Sequence, residues 1–526
     1  MKTNWFISLL FVLVLFGNAA AQPLFQHRLI VDRTVRFGSS AILPDGSIFA
    51  AGISGTTEWQ TIYLSKFNAD GSIAWVKESV DTDSLGYATT IASVLYRSDG
   101  VVVIAANIFA QKPTIVLLFC KTDGSVISAT RYTSLTEFDG LSAAKIIETQ
   151  DHGMLIIGES KNESFNIFPL ALLCDKNGGI VWSKMFATSN GMASFRLSAA
   201  AAGTTGNYAI GAGEFSNTGV FITLSPDGTI LSSTRDTGSG GIRSAALLAM
   251  QDGGFISAGS VGQKVVITSF NGAGALRWST AVSFFDFYNP HSVVSMSDGS
   301  VCVSGDVSDN DPTTGKSGML FLQNNGEIQS AYTLKIPKVQ SRIDVLQPAA
   351  NNSLLISSSA SDSGNSLITS PLFIKTSLSG SECNFLPALI SQSDFSPQVV
   401  HDVTSAEFLV SRQQLQLSPL RSIQYSEIEY CSQAKTESEA TDNELLLYPN
   451  PVENQLTTIH TPITLTGNVV VIVRNISGQE VYRSKYNLIN GQLRIDLGTI
   501  ASGMYNIALF DENSYSQLWR GKLIKK

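Results

Sequence analysis

Charge is scarce in this chain. Asp, Glu, Lys and Arg make up 15% of its 526 residues, where a soluble protein ordinarily has about 25%. Acidic groups outnumber basic ones, 43 to 35, for a net charge of −8. That shortage of basic groups excludes a nucleic-acid binder, whose affinity rests on a basic footprint. Disorder is excluded too, since 44% of the residues are hydrophobic and disordered chains combine high charge with few apolar groups. Histidine is rare: His27, His152, His291, His401 and His460 are scattered, with no HExxH or other metal-ligand spacing. His152 falls in a turn and reads as solvated. No GxSxG elbow and no GxxxxGKS/T phosphate loop occurs. Helical 3.6-residue periodicity is missing, while the chain holds 43 glycines and many Ser, Thr and Val residues. Many short strands are the implied structure.

Long apolar runs are missing as well. The one candidate, Phe6–Phe16, is too short to span a bilayer as a helix. Preceded by Lys2 and followed by Ala19-Ala20-Ala21, it reads as a secretory signal covering residues 1–21. No other stretch suggests a transmembrane span. Export implies an oxidising environment, so the cysteines matter. There are five, Cys120, Cys174, Cys302, Cys383 and Cys431, and an odd number leaves at least one unpaired. Cys383 and Cys431, near the end of the large domain, are the expected disulfide. Cys120 and Cys174 each lie four residues before a repeat glycine and read as buried apolar thiols.

What is abundant is repetition. One series is a turn followed by an apolar strand, centred on Asp45, Asp99, Asp151, Thr205, Asp252, Asp298 and, degenerate, Asn351, with steps of 46 to 54 residues. A second series falls between, marked by Gly71, Gly124, Gly178, Gly228, Gly274, Gly326 and Gly380. Both count seven. The Asp-Gly and Asn-Gly pairs supply the positive φ angles of tight hairpins. Four short antiparallel strands in each unit of about 50 residues are the blades of a β-propeller. The expected fold is therefore all-β: a seven-bladed propeller over residues 22–432, with Phe25–Val31 completing the seventh blade. Asp394–Cys431 has lost both turn markers and is expected to be an eighth, degenerate blade or a strand pair covering the closure.

Two slots in the repeat are informative. The first strand of most units starts with small residues (Ser39-Ser40-Ala41, Ala92-Ser93, Ser142-Ala143-Ala144, Ser198-Ala199-Ala200, Ser244-Ala245-Ala246), as converging inner strands require. The fourth strand carries Trp75, Trp182 and Trp278 in alternation with Ser128, Ser232 and Ser330. That alternation favours packing between units over a ring of binding platforms.

Both hairpin series place short turns on one face, so the opposite face receives the variable connections Thr56–Trp59, Asn107–Lys112, Lys161–Phe168, Phe284–Tyr288 and Asp306–Lys316. Variable loops on a rigid scaffold are where binding resides. Trp59, Phe284, Phe285, Phe287 and Tyr288 are the candidate ligand-binding residues, through stacking on a sugar or anchoring of a protein; inward packing between blades is the alternative. Asp306, Asp309 and Asp311 form either a solvated turn or a weak calcium site; no other cofactor or metal is implied. No catalytic residues stand out. A non-catalytic module binding an extracellular glycan or protein is the first reading. A secreted lyase or hydrolase with its site on the variable face is the alternative, and a surface spacer the third.

After Cys431 the composition changes. Gln433–Glu444 is a polar linker, and residues 445–526 alternate as a small β-sandwich of about six strands. Tyr448-Pro449-Asn450-Pro451, then Asn475 to Val481 around Gly478, then Ser502-Gly503-Met504-Tyr505 and a final strand ending at Lys526 follow in order. In these motifs the tail resembles the C-terminal sorting domain of the type IX (Por) secretion system. The resemblance implies passage across the inner membrane by the signal peptide, recognition of the tail by type IX machinery, and release or attachment to surface lipopolysaccharide.

Overall fold

The computed structural model is all-β, with no helix among the described residues and hence none long and apolar enough to cross a membrane. It describes residues 25–30, 35–56, 59–79, 86–110, 112–135, 138–162, 167–188, 195–214, 219–236, 243–261, 264–283, 287–307, 316–334, 339–349, 353–362, 369–377, 385–387, 391–394, 399–400, 403–417, 419–432, 446–448, 456–460, 467–475, 479–488, 492–511 and 517–525. The signal segment and the linker lie outside them. The chain divides into two compact units, Met1–Gln433 and Ala434–Lys526.

The first unit is built from antiparallel four-stranded repeats. Sheet 1 runs Val35–Ile42, Ile48–Thr56, Trp59–Phe67, Ile73–Glu78; sheet 2 starts at Tyr87–Tyr96, sheet 3 at Phe138–Glu148, sheet 4 at Phe195–Ala202, sheet 5 at Arg243–Ala249 and sheet 6 at Phe287–Ser295. Sheet 7 takes Val339–Ala349, Ser353–Asp362 and Thr369–Ser377 from one end of the unit, and its fourth strand, Phe25–Ile30, from the other. A single pair, Val35 with Thr369, joins sheets 7 and 1 into one ten-stranded sheet.

Middle strands are apolar on both sides. Val102–Ala106 and Ile115–Cys120 are buried without interruption, as in any sheet covered on two faces. Each face packs on the next sheet. One apolar cluster joins Phe49 and Leu64 of sheet 1 to Val102 and Leu118 of sheet 2; others join sheets 2 and 3, 3 and 4, 4 and 5, 5 and 6, and 6 and 7. The last joins Leu29 and Phe373 of sheet 7 to Val35, Phe37 and Tyr63 of sheet 1. The succession of sheets therefore returns to its start.

The tryptophans lock consecutive sheets. Trp182 of sheet 3 donates its indole N–H to Pro226 O at 2.9 Å in sheet 4, and Trp278 of sheet 5 donates to Asn324 O at 3.2 Å in sheet 6. Trp75 meets Phe49 edge-on at 5.5 Å, and a side chain at Gly124 of sheet 2 would lie 2.6 Å from its ring. This is packing between units.

Hairpin turns follow the Asx chemistry. In the first, Asp45 Oδ1 accepts from Ser47 N at 2.9 Å. Sheet 3 puts His152 where other sheets have a left-handed glycine, at φ 61°. Its Nδ1 lies 3.0 Å from Glu148 Oε1 and 2.8 Å from Ser98 Oγ of sheet 2, so this histidine is tied to the neighbouring sheet rather than simply solvated.

The segment after Ser377 corrects the expectation of an eighth unit. Its strands pair one by one with the outer edges of different sheets: Phe385–Pro387 on sheet 6, Ser391–Asp394 on 5, Val399–Val400 on 4, Val403–Glu407 on 3, Val410–Leu415 on 2, Arg421–Ser422 on 1 and Ser426–Ser432 on 7. The chain thus runs back around the unit as a belt. Turn markers are missing because the belt makes no hairpins; each strand satisfies an edge that would otherwise expose unpaired backbone groups. Its apolar residues plug the seams: Leu415 between sheets 1 and 2, Phe408 between 2 and 3, Val403 between 3 and 4. Arg421 donates to the buried Glu78 carboxylate, at 2.8 Å from Nε.

The second unit has a three-stranded sheet (Leu446–Tyr448, Leu456–His460, Gln492–Asp496) and a four-stranded one (Glu480–Leu488, Gly467–Asn475, Gly503–Asp511, Gln517–Lys525). Val471, Val473, Ile507 and Leu509 of one share a core with Leu493 and Ile495 of the other.

Phe408 is 2% exposed, so Phe408→Ala should cost about 3–5 kcal/mol, read as a lower denaturation midpoint; an unchanged midpoint would mean that the belt does not support the seam. The turn carboxyls give a pH dependence. Hydrogen bonds from Ser47, Ser125 and Thr149 hold Asp45, Asp123 and Asp151 below the ordinary carboxylate range. A depressed folded value stabilises above the unfolded value and is lost as pH falls through the folded one. Melting temperature should therefore drop as pH falls below the ordinary Asp value of 3.8, and Asp45→Asn should reduce that drop.

Candidate functional site

Sheets 2, 3 and 6 have an extra register shift nearer the start of the inner strand, and every inner strand carries a bulge in one shared slot, a residue without a partner across the sheet. These residues are Gly38, Ala92, Ala144, Ser198, Ala245, His291 and Asp344 in sheets 1 to 7. A bulge bends and twists the strand, and here it brings inner strands of consecutive sheets together. A Cβ at Gly38 would lie 2.4 Å from Cβ of Ile91 in sheet 2, which explains the small residues in sheets 1 to 5.

Residues beside the bulge serve the neighbouring backbone. Ser39 Oγ accepts from Val94 N at 3.1 Å, and Ser292 Oγ from Leu346 N at 3.3 Å. Asn107 donates to Ala143 O at 2.9 Å and accepts from Ala143 N at 2.7 Å. Sheet 3 has Lys145 in the slot of Ser39 and Ser292. It is half-buried, pairs across with Ile157, and burial lowers its pKa from the ordinary lysine value.

Sheet 6 departs most from the pattern. Its bulge residue is His291, whose Nε2 lies 2.9 Å from Asp306 Oδ2, both side chains largely buried. Asp306 is the last residue but one of Val301–Val307, at the end of the sheet opposite the Asx hairpins. Two residues earlier on the same face, Ser304 has a buried hydroxyl without a hydrogen-bond partner among the described residues. Ser317, paired with Asp306, accepts from Ile343 N of sheet 7 at 2.9 Å. An imidazole held by a carboxylate can accept or donate a proton at its rim and can grip a polar ligand.

The expected ligand residues divide. Phe287 and Tyr288 are not in a connecting loop but open the inner strand of sheet 6, paired with Val307 and Asp306. They therefore lead into His291. Phe284 and Phe285 lie outside the described residues. Trp59 begins the third strand of sheet 1, across from Thr56 and away from sheet 6. Of the three aspartates weighed for calcium, Asp306 pairs with His291, and Asp309 and Asp311 lie outside the described residues. Cys383 is also outside them; Cys431 sits in the belt opposite Gln26. Cys120, Cys174 and Cys302 are buried free thiols, and burial pushes the first two up to about 12. His291 was passed over because its neighbours in sequence form no motif; its signal is that it fills a slot that is small in five other repeats.

In the tail, Tyr448 ends a short strand, and Pro449, Asn450, Pro451 and Gly478 lie outside the described residues. Gly503 opens the strand that carries Tyr505. The Tyr505 ring is buried, and its hydroxyl donates to Ala501 O at 2.7 Å. Lys525 reaches back to Leu497 O at 2.6 Å and Ile500 O at 2.5 Å. The motif residues thus tie the end of the chain to the sheet.

Among solved structures, the chain is similar to a protein of unknown function from Bacteroides caccae (14% identity over 46% of this chain and 78% of that one, TM-score 0.32). It is also similar to Sqt1 from Chaetomium thermophilum (11%, 67% and 96%, TM-score 0.40) and to the polysaccharide lyase Uly1 (8%, 68% and 100%, TM-score 0.39). These overlaps are too loose to speak for function. No curated protein matches. Residues 446–526 match the family described as the secretion system C-terminal sorting domain. The tail is a type IX sorting domain, and the protein is secreted by that system to the cell surface or the extracellular space.

Proposed function

We propose that residues 22–432 form a seven-bladed β-propeller and that the protein is a non-catalytic ligand-binding module, exported by a signal peptide at residues 1–21 and a β-sandwich sorting tail. The return of the sheet succession to its start supports the propeller. The ligand, a glycan or a protein, is taken on the face opposite the Asx hairpins. The observation that carries this reading is the His291–Asp306 pair, a polar grip in a slot that five of the other six sheets fill with a small residue. Type IX machinery recognises the tail, and surface lipopolysaccharide is the anchor if the protein is retained.

The same pair favours one second reading. With Ser304 close by, His291 is placed to act as a general base, which would make the protein a carbohydrate-active lyase or hydrolase.

The test is a glycan and surface-protein binding screen of the exported protein. His291→Ala and Tyr288→Ala should each weaken the captured interaction about ten-fold or more; capture unaffected by both would sink the site. Turnover of the captured polymer, abolished in His291→Ala, would replace binding with catalysis. For the tail, Tyr505→Ala removes a buried ring and its hydrogen bond, a loss of about 3 kcal/mol or more. The variant should accumulate inside the cell, measured as the ratio of cell-associated to extracellular protein. A wild-type ratio would show that Tyr505 is dispensable for sorting.

A further inference from the structure

Two residues before each bulge the inner strands share a further register position. In sheets 1 to 7 it holds Arg36, Thr90, Ser142, Arg196, Arg243, Tyr288 and Arg342, Tyr288 standing one residue further back because sheet 6 has a second register shift. Their partners across the sheet are Ile53, Asn107, Glu159, Gly213, Ser260, Asp306 and Ser359. Four of seven equivalent positions are therefore arginine, in a chain with more acidic than basic groups. No arginine has an acid across from it; the two carboxylates, Glu159 and Asp306, face Ser142 and Tyr288 instead. Arg36 is exposed, and no carboxylate of the described residues pairs with it. Lys145 stands three residues deeper along the inner strand of sheet 3, where burial lowers its pKa.

Inner strands run from the variable face toward the hairpins, so this position lies at the variable end. Because the inner strands adjoin in succession, these register positions follow one another from sheet to sheet at that end. Guanidinium groups recognise carboxylate and sulfate in bidentate geometry, and an aromatic residue on the same rim suits a sugar ring.

We propose that this ring is a binding site for an acidic sugar, one bearing carboxylate or sulfate groups, at the mouth of the sheet succession. The proposal rests on the ligand-binding reading above and names the ligand class for that face.

The test uses the exported protein on beads carrying polygalacturonate, dextran sulfate or unsubstituted dextran. Retention is expected on at least one acidic polymer and not on dextran. Arg36→Ala and Arg243→Ala should each weaken it about ten-fold. Arg277→Ala, which removes a cation 2.5 Å from Asp252 at the hairpin end, should leave it unchanged. Should Arg243→Ala fail to fold, the exposed Arg36 still decides. Equal retention on dextran, no retention on either acidic polymer, indifference to both ring variants, or an equal loss in Arg277→Ala overturns the ring. If a neutral glycan is nonetheless captured in a His291-dependent way, the ring falls while the binding-module reading stands.

Discussion

The approach of inner strands from consecutive sheets is the constraint on which the first unit depends. At Gly38 there is no room for a methyl group against Ile91, and interiors packed at crystal-like density cannot absorb such an overlap. Closeness there lets each sheet lay its whole face on the next, so that the apolar clusters follow one another from sheet 1 back to sheet 1. It also decides how polar groups are used. Short hydroxyls and the Asn107 amide fit the gaps and bond the neighbouring backbone, whereas a longer group such as His291 must bring its own partner.

The belt answers a different problem. A succession of sheets closes its faces but leaves an outer edge on every sheet, each a row of unpaired backbone groups. One segment running back around the unit covers them in turn, and its own outward side chains, as in Val403–Glu407, are mostly exposed and polar. Covering the edges links the two ends of the unit, since Phe25–Ile30 pairs with Ser426–Ser432. Contacts so distant in sequence are costly in loop-closure entropy and slow to form. The chain must emerge nearly whole before the first unit can close.

Charge in the exported unit is placed rather than abundant. At the hairpin end carboxyls are spent on turns, where Ser and Thr neighbours hold them ionised. At the other end arginines recur in register on the inner strands. The two ends differ in chemistry although the same repeats build both.

Repeat length, the seven-fold count of markers, the hairpin turns, the strand from Phe25 and the sorting tail are all legible along the chain, because turn chemistry and alternation are local and recur at fixed spacing. The belt was not. Two- to seven-residue strands without hairpins carry no periodic signal, and their partners lie from 51 to 407 residues away. His291 and Asp306 were likewise invisible as a pair, being fifteen residues apart on different strands and joined only by a bulge that shifts the register. The arginines were in plain view, yet nothing local marks them as equivalent. Local sequence determines turns, strands and address; which side chains meet where the inner strands adjoin is decided by register and closure, which exist only once the sheets are assembled.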